Sequence, residues 1–398
     1  MLNAFALFGI LPGLLLKYLS PKKSAILGGI CIVLGQMMTA LMVSSEHAKI
    51  KDNSTMMLGA ITILAGQGSC LVLFSCLQAL MNCQTIQASH VISTCCISYY
   101  LGADSFIISI KDGLFADTSF TSFTMSLGIA AFVLTVLNAV IITDEEDAGG
   151  FFGKAQALTK GIIYKKTDYL HLIILLTYTS ILLYFSLADG MKDSTSAIIL
   201  LILVLMNLFV PVSLIFLLDA ERIRSMVGEP TEIEKKLSNK GVDHSFSEAA
   251  LRIDFWYLGI TSMLVIGASR MYDENAEALG LHDEKKIEMI EQSYSVYEVL
   301  GAVFMGSMLT FFRSKIQPTL CIVLCVVIAM FGQIAMIYPS SFTSWDPMWI
   351  AVATASFAEG GVLVSLSSFV HEEYGTENFG LLFGTMTTFG ATGLYAMD

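Results

Sequence analysis

Twelve runs of roughly 18 to 27 mostly apolar residues fill this 398-residue chain, and its charges fall mainly between them. A bilayer core about 30 Å thick needs about 20 apolar residues to be crossed as a helix. Inside lipid only helices and closed barrels satisfy their own backbone groups. Barrel strands alternate over about ten residues, and segments such as 197–218 are continuously apolar instead. The chain therefore reads as an all-α, multi-pass transmembrane helical bundle. Only 14% of its residues are charged, against about a quarter in a soluble domain.

The spans are predicted at 1–19, 25–44, 56–82, 90–110, 119–143, 169–188, 195–219, 253–270, 292–312, 318–338, 347–370 and 381–398. They divide the chain into an N-terminal bundle of five spans at 1–143, a polar linker at 144–168, two extra spans at 169–219, a polar loop at 220–252 and a C-terminal bundle of five spans at 253–398. Two blocks around a central linker are the usual build of secondary transporters. Placing the Ser20–Ser24 loop inside puts 15 of the 22 lysines and arginines in inside loops. That asymmetry sets the orientation.

The net charge of −12 comes largely from loops; 271–291 alone holds seven acids. No basic patch suits nucleic acid. The eight cysteines form no C-x-x-C pair, and no histidine stands at metal-ligand spacing from them, so no metal is expected. No nucleophile–base pair, phosphate loop or redox motif is present, so neither an enzyme nor a bound cofactor is expected. No basic region precedes 1–19 and no cleavage site follows it, so no cleavable signal is expected.

Ionisable groups within spans are costly and mark function by default. Asp104, Glu298 and Glu359 each stand at least five residues inside a span. They are the candidates for a solute or proton site, with Tyr99, Tyr297 and Gln67 as secondary candidates. Acids with no base beside them suit protons or cations better than anions. Lys111 and Arg270 fall at span ends, where they can snorkel to the interface. His90 and His171 also read as interfacial. Gln36, Gln67, Gln78 and Gln333 suit hydrogen bonds between helices, and Gly9-x3-Gly13, Gly301-x4-Gly306 and Gly380-x3-Gly384 suit close helix contacts.

Several stretches carry a family resemblance. Gly66-Gln67-Gly68-Ser69, Tyr99-Tyr100, Leu114-Phe115, the paired spans ending in Asp219-Ala220-Glu221-Arg222, Asp254-Phe255-Trp256, and Glu372-Glu373-Tyr374-Gly375 with Asn378-Phe379-Gly380 keep their order along the chain. In these the chain resembles the nodulin-like branch of the major facilitator superfamily. The resemblance implies two helical bundles around two extra central spans, without counterparts of the relatives' first and last spans. It also implies secondary transport of a small organic solute by alternating access. The chain departs from its relatives at Ser89-His90, where they carry Arg-Gly. Glu298 and Ala302 stand where they carry Asn and Arg. These departures motivate a second reading: a degenerate transporter serving as an accessory subunit of a larger membrane assembly, for example in an organelle such as the mitochondrial inner membrane. Lipids are partners in either case.

Overall fold

The computed structural model describes residues 8–44, 54–82, 86–141, 173–181, 198–199, 201–203, 243–275, 284–312, 316–338 and 347–397. Among these there is no strand. The helices are α1 (Ile10–Tyr18), α2 (Pro21–Ser44), α3 (Ser54–Asn82), α4 (Ile86–Leu101), α5 (Ala103–Leu114), α6 (Phe120–Ile141), α7 (Phe246–Leu251), α8 (Ile253–Glu274), α9 (Glu284–Phe311), α10 (Pro318–Ile337), α11 (Pro347–Tyr374) and α12 (Phe379–Met397). Residues 173–181 are also helical. The linker 144–168, most of the two extra spans, the loop 220–242, and His171 lie outside the described residues.

Five of these helices, α2, α3, α9, α10 and α11, contain segments both long and apolar enough to cross a membrane. Helix α10 shows why they suit lipid. It starts with Pro318 in its first turn, where the missing N–H leaves no bond unmade. Its inward face is mostly small: Cys321, Cys325, Ala329, Gly332 and Ala335 are buried, with Ile322 the large exception. Its outward face is bulky: Leu320, Val323, Val327, Met330, Phe331 and Ile334 are exposed. A water-soluble helix would reverse this. Between lipid-bathed helices, small residues let backbones approach while large apolar ones meet acyl chains. The chain is an integral, multi-pass membrane protein of all-α class.

In the N-terminal half α2 packs against both α3 and α6. In the C-terminal half, α11 is central and packs against α8, α9 and α10, while α12 lies along α8. The halves meet along two seams. In the first, α1 runs against α12, with Gly9 opposite Gly384 and Gly13 opposite Gly380; a Cβ on Gly9 would lie 2.6 Å from the Gly384 Cα. The two small-residue motifs at 9–13 and 380–384 thus face each other. In the second, α4 packs against α9 and α11.

The predicted single span at 90–110 is instead two helices joined at Gly102. A Cβ there would lie 3.0 Å from Val299 Cγ2 on α9 and 3.2 Å from the Ser98 carbonyl oxygen. Glycine at this junction therefore lets α4 lean onto α9. Buried Tyr178, from the helical stretch 173–181, tilts its ring against Tyr99 at 5.3 Å between centroids.

At one end of the bundle the α11–α12 turn is tied to the segment before α7. Gly375 takes φ of +81°, and Asp243 Oδ1 accepts from the backbone N–H groups of Thr376 at 2.8 Å and Glu377 at 3.2 Å. Asn378 Nδ2 donates to the His244 carbonyl at 3.0 Å. The Glu372–Gly380 signature is thus a structured turn. Ser245 caps α7, exchanging bonds with Glu248 in a capping box.

Candidate functional site

Three helices bring an ionic cluster together inside the C-terminal half. Helix α8 supplies Ser269 and Arg270, α9 supplies Tyr294 and Glu298 one turn apart, and α11 supplies Glu359. Arg270 Nη2 donates to Glu298 Oε1 at 2.8 Å and its Nε donates to Glu359 Oε1 at 2.8 Å. Tyr294 donates its hydroxyl hydrogen to the other Glu359 oxygen. Ser269 Oγ lies 3.0 Å from the same tyrosine hydroxyl. The guanidinium also stands over the Tyr294 ring, 5.2 Å from its centroid, an attraction between a cation and the negative ring face. Glu359 is 0% and Glu298 2% exposed.

Backbone proximity makes this possible. A Cβ on Gly360 would meet the Glu298 carbonyl oxygen, and one on Gly301 would meet the Phe357 carbonyl oxygen. Helices α9 and α11 therefore touch backbone to backbone beside both acids. Arginine's planar fork suits two carboxylates held at fixed positions. One cation against two carboxylates leaves one negative charge if both acids are ionised. One proton on either acid makes the cluster neutral. An uncompensated charge is expensive in lipid, so the three charged side chains are drawn together.

The sequence-predicted residues meet this geometry unevenly. Glu298 and Glu359 come together. Asp104 stands at the second position of α5, and its side chain lies outside the described ones. Tyr297 stacks edge-on to Trp349, 5.7 Å between centroids, on the α9 face next to the cluster. Tyr99, near the end of α4, packs on Tyr178, and half-buried Gln67 lies on α3; neither belongs to the cluster. Gln333 accepts a hydrogen bond from the Tyr272 hydroxyl at 2.8 Å, a link between α10 and α8 of the kind expected for these glutamines.

Two expectations are corrected. Arg270 does not snorkel from a span end. Helix α8 continues to Glu274, a full turn beyond the predicted limit, and the side chain turns inward to the acids. Glu298 and Glu359 are accordingly not acids without a base. His90, near the start of α4, is packed into the seam at 1% exposed; it bonds to α11, with Nδ1 2.9 Å from Ser368 Oγ and Nε2 3.0 Å from Glu372 Oε1. Sequence reasoning also missed Tyr294 and Ser269. The signal for Tyr294 was present, since it lies four residues before Glu298 on one helix face.

Between the halves lies a cavity of about 20 Å³ lined by Cys70, Phe74, Ile97, Leu363, Phe383 and Thr387, among others. It has room for about one water. The Thr387 hydroxyl is already bonded to the Gly384 carbonyl at 3.0 Å, so the lining is apolar. Among the described residues no three His, Cys, Asp or Glu side chains gather as metal ligands.

Among solved structures, the chain is similar to the E. coli fucose:proton symporter FucP, at 15% identity over 99% of this chain and 81% of that one, with a TM-score of 0.43. A second similar structure is FucP described as a major facilitator superfamily transporter in the outward conformation. It gives 16% identity over 100% of this chain and 81% of that one, with a TM-score of 0.42. No protein-family model matches the chain, and no curated protein matches it.

Proposed function

We propose that this protein is a secondary carrier of the nodulin-like, major facilitator type, moving a small organic solute by alternating access with proton coupling. The observation that carries this reading is the Arg270–Glu298–Glu359–Tyr294 cluster. Such a buried ionic group is a poor way to stabilise a membrane bundle, because well-packed apolar residues usually do as well or better. Its place deep within the C-terminal half is best accounted for by a charge that comes and goes. The proton is carried on Glu298 or Glu359, and Arg270 holds whichever acid is ionised. Two halves joined by glycine-packed and tightly apposed seams suit rocking about a central site.

Uptake into proteoliposomes across a pH gradient tests this. Wild type is expected to take up solute from a broad panel. Glu298→Gln and Glu359→Gln, which mimic the protonated form, are expected to lose the response to the gradient. Normal uptake with unchanged pH response in both variants would sink the coupling role.

Among the described residues the space between the halves is a small apolar cavity, which is in keeping with a second reading, an accessory subunit of a larger membrane assembly. No uptake by wild type, together with copurifying subunits after mild solubilisation, would favour it.

A further inference from the structure

His90 sits where a helix of one half crosses a helix of the other. Both of its ring nitrogens are engaged by α11, by Ser368 at 2.9 Å and by Glu372 at 3.0 Å. One neutral tautomer satisfies both contacts: Nε2–H donates to the Glu372 carboxylate and Nδ1 accepts from the Ser368 hydroxyl. The site is packed rather than loose. One turn along α4, Thr94 Oγ1 donates to the His90 carbonyl at 2.6 Å, and the same side chain fills the space over Gly306 of α9.

The position matters as much as the bonds. Glu372 and its neighbour Glu373 end α11, beside Arg252, which lies 3.8 Å from Glu373. The α11–α12 turn is at this end, and so is the start of α2 with Lys22 and Lys23, because α1 runs along α12 toward it. The charge bias assigns this end to the inside.

We propose that His90 is the latch of the inner end: its imidazole ties α4 to α11, and its release lets the two halves part there. This rests on the two-half carrier reading. The latch works through bonds across the seam and does not touch the ionic cluster, whose Glu359 lies near the middle of α11.

Distance measurement by pulsed electron resonance on the full chain in liposomes tests it. Spin labels are placed on bioorthogonal side chains at exposed Lys23 and Glu377, one on each half at this end. Wild type is expected to be dominated by one short distance. His90→Phe keeps a ring but removes both bonds. Losing a buried hydrogen bond to a charged group is expected to raise the ratio of long to short distances about tenfold. Ser368→Ala with Glu372→Ala cuts the same bonds from α11 and is expected to give the same shift. It also covers the case of a His90→Phe chain that fails to fold. Combining all three changes is expected to add nothing further. Unchanged distances in both variants, or a fully additive shift in the combination, would overturn the latch. Uptake, read separately on the same liposomes, reports on the carrier reading, so either idea can fail alone.

Discussion

Arg270 Nε and Glu359 Oε1 lie 2.8 Å apart, 89 residues from each other in sequence, with the acid fully buried. The pair joins α8 to α11, and the second arm of the guanidinium joins α9 through Glu298. Three helices of the C-terminal half are thus held at one cationic point. What holds them there is paired charge, and breaking it from one side differs from removing it altogether.

Arg270→Met removes the guanidinium shared by two buried carboxylates. A loss of about 3–5 kcal/mol in folding stability is expected. Adding Glu298→Gln and Glu359→Gln to Arg270→Met is expected to recover most of it, because no charge then remains buried. Thermal unfolding in detergent of the single and triple variants checks this. A triple variant less stable than the single one would show that the cluster is held by shape and not by charge.

Gly360→Ala is expected to force α9 and α11 apart, because the new Cβ would meet the Glu298 carbonyl oxygen. The obstacle is backbone, so it cannot swing aside as a side chain would. A loss of about 1–3 kcal/mol is expected from overpacking. Proton-gradient response should fall with it as Glu298 is carried away from Arg270. Unfolding midpoints and uptake, measured together, check the pairing of the two effects.

The apolar pattern of this chain made the helices legible and left the cluster half hidden, for a physical reason. Hydropathy marks where lipid-compatible residues run, and for α10 the prediction of 318–338 meets a helix at Pro318–Ile337. It also placed acids at Glu298 and Glu359. It put the end of α8 at Arg270 because a charged residue reads as the edge of a span. The partner of the acids was therefore taken for a boundary marker. The contacts of His90 were hidden in the same way. Its partners, Ser368 and Glu372, lie 278 and 282 residues away in sequence, and no local pattern announces them. Gly9-x3-Gly13 and Gly380-x3-Gly384 were visible as motifs, yet only the fold sets them against each other.

The charge asymmetry and the antiparallel run of the helices give one topology. Lys23, before most of α2, and Glu377, between α11 and α12, are expected on one side of the membrane. Asp117, between α5 and α6, and Asn275, after α8, are expected on the other. Single cysteines at these four exposed or half-exposed positions, labelled with an impermeant maleimide in sealed vesicles, check it. Labelling of Lys23→Cys and Asp117→Cys from the same side would refute the arrangement.

Glu248 gives a pH signature outside the membrane. The Ser245 backbone N–H, and then its hydroxyl, hold the Glu248 carboxyl below its usual value. The sign follows from which state binds the proton more weakly. A depressed folded value means the contribution is fully present above the ordinary glutamate range, near about 4.3, and is lost as pH falls through the lower folded value. Amide protection at Ala249 and Ala250 is therefore expected to drop in acid for wild type. Ser245→Ala removes the hydroxyl but leaves the Ser245 backbone N–H on the Glu248 carboxylate, so its α7 should fray more at every pH, with a smaller acid step. Hydrogen exchange followed as protection factors from pH 3 to pH 7 distinguishes the two.

The last prediction concerns the turn that follows α11. Gly375 has φ of +81°, and a side chain there meets two penalties. The left-handed backbone itself disfavours a Cβ by about 1–2 kcal/mol. The Cβ would also run into Asp243, whose Oδ1 holds the Thr376 and Glu377 amides. Gly375→Ala is therefore expected to lose more stability than Asp243→Ala, which breaks the amide bonds but leaves the backbone unstrained. In the double variant the clash with the Asp243 carboxylate is gone, although the approach to its Cα at 2.9 Å stays, so the two losses should sum to more than the measured total. Unfolding of the three variants in detergent measures that difference. Strictly additive losses would mean that Asp243 moves aside freely and that this aspartate does not fix the turn.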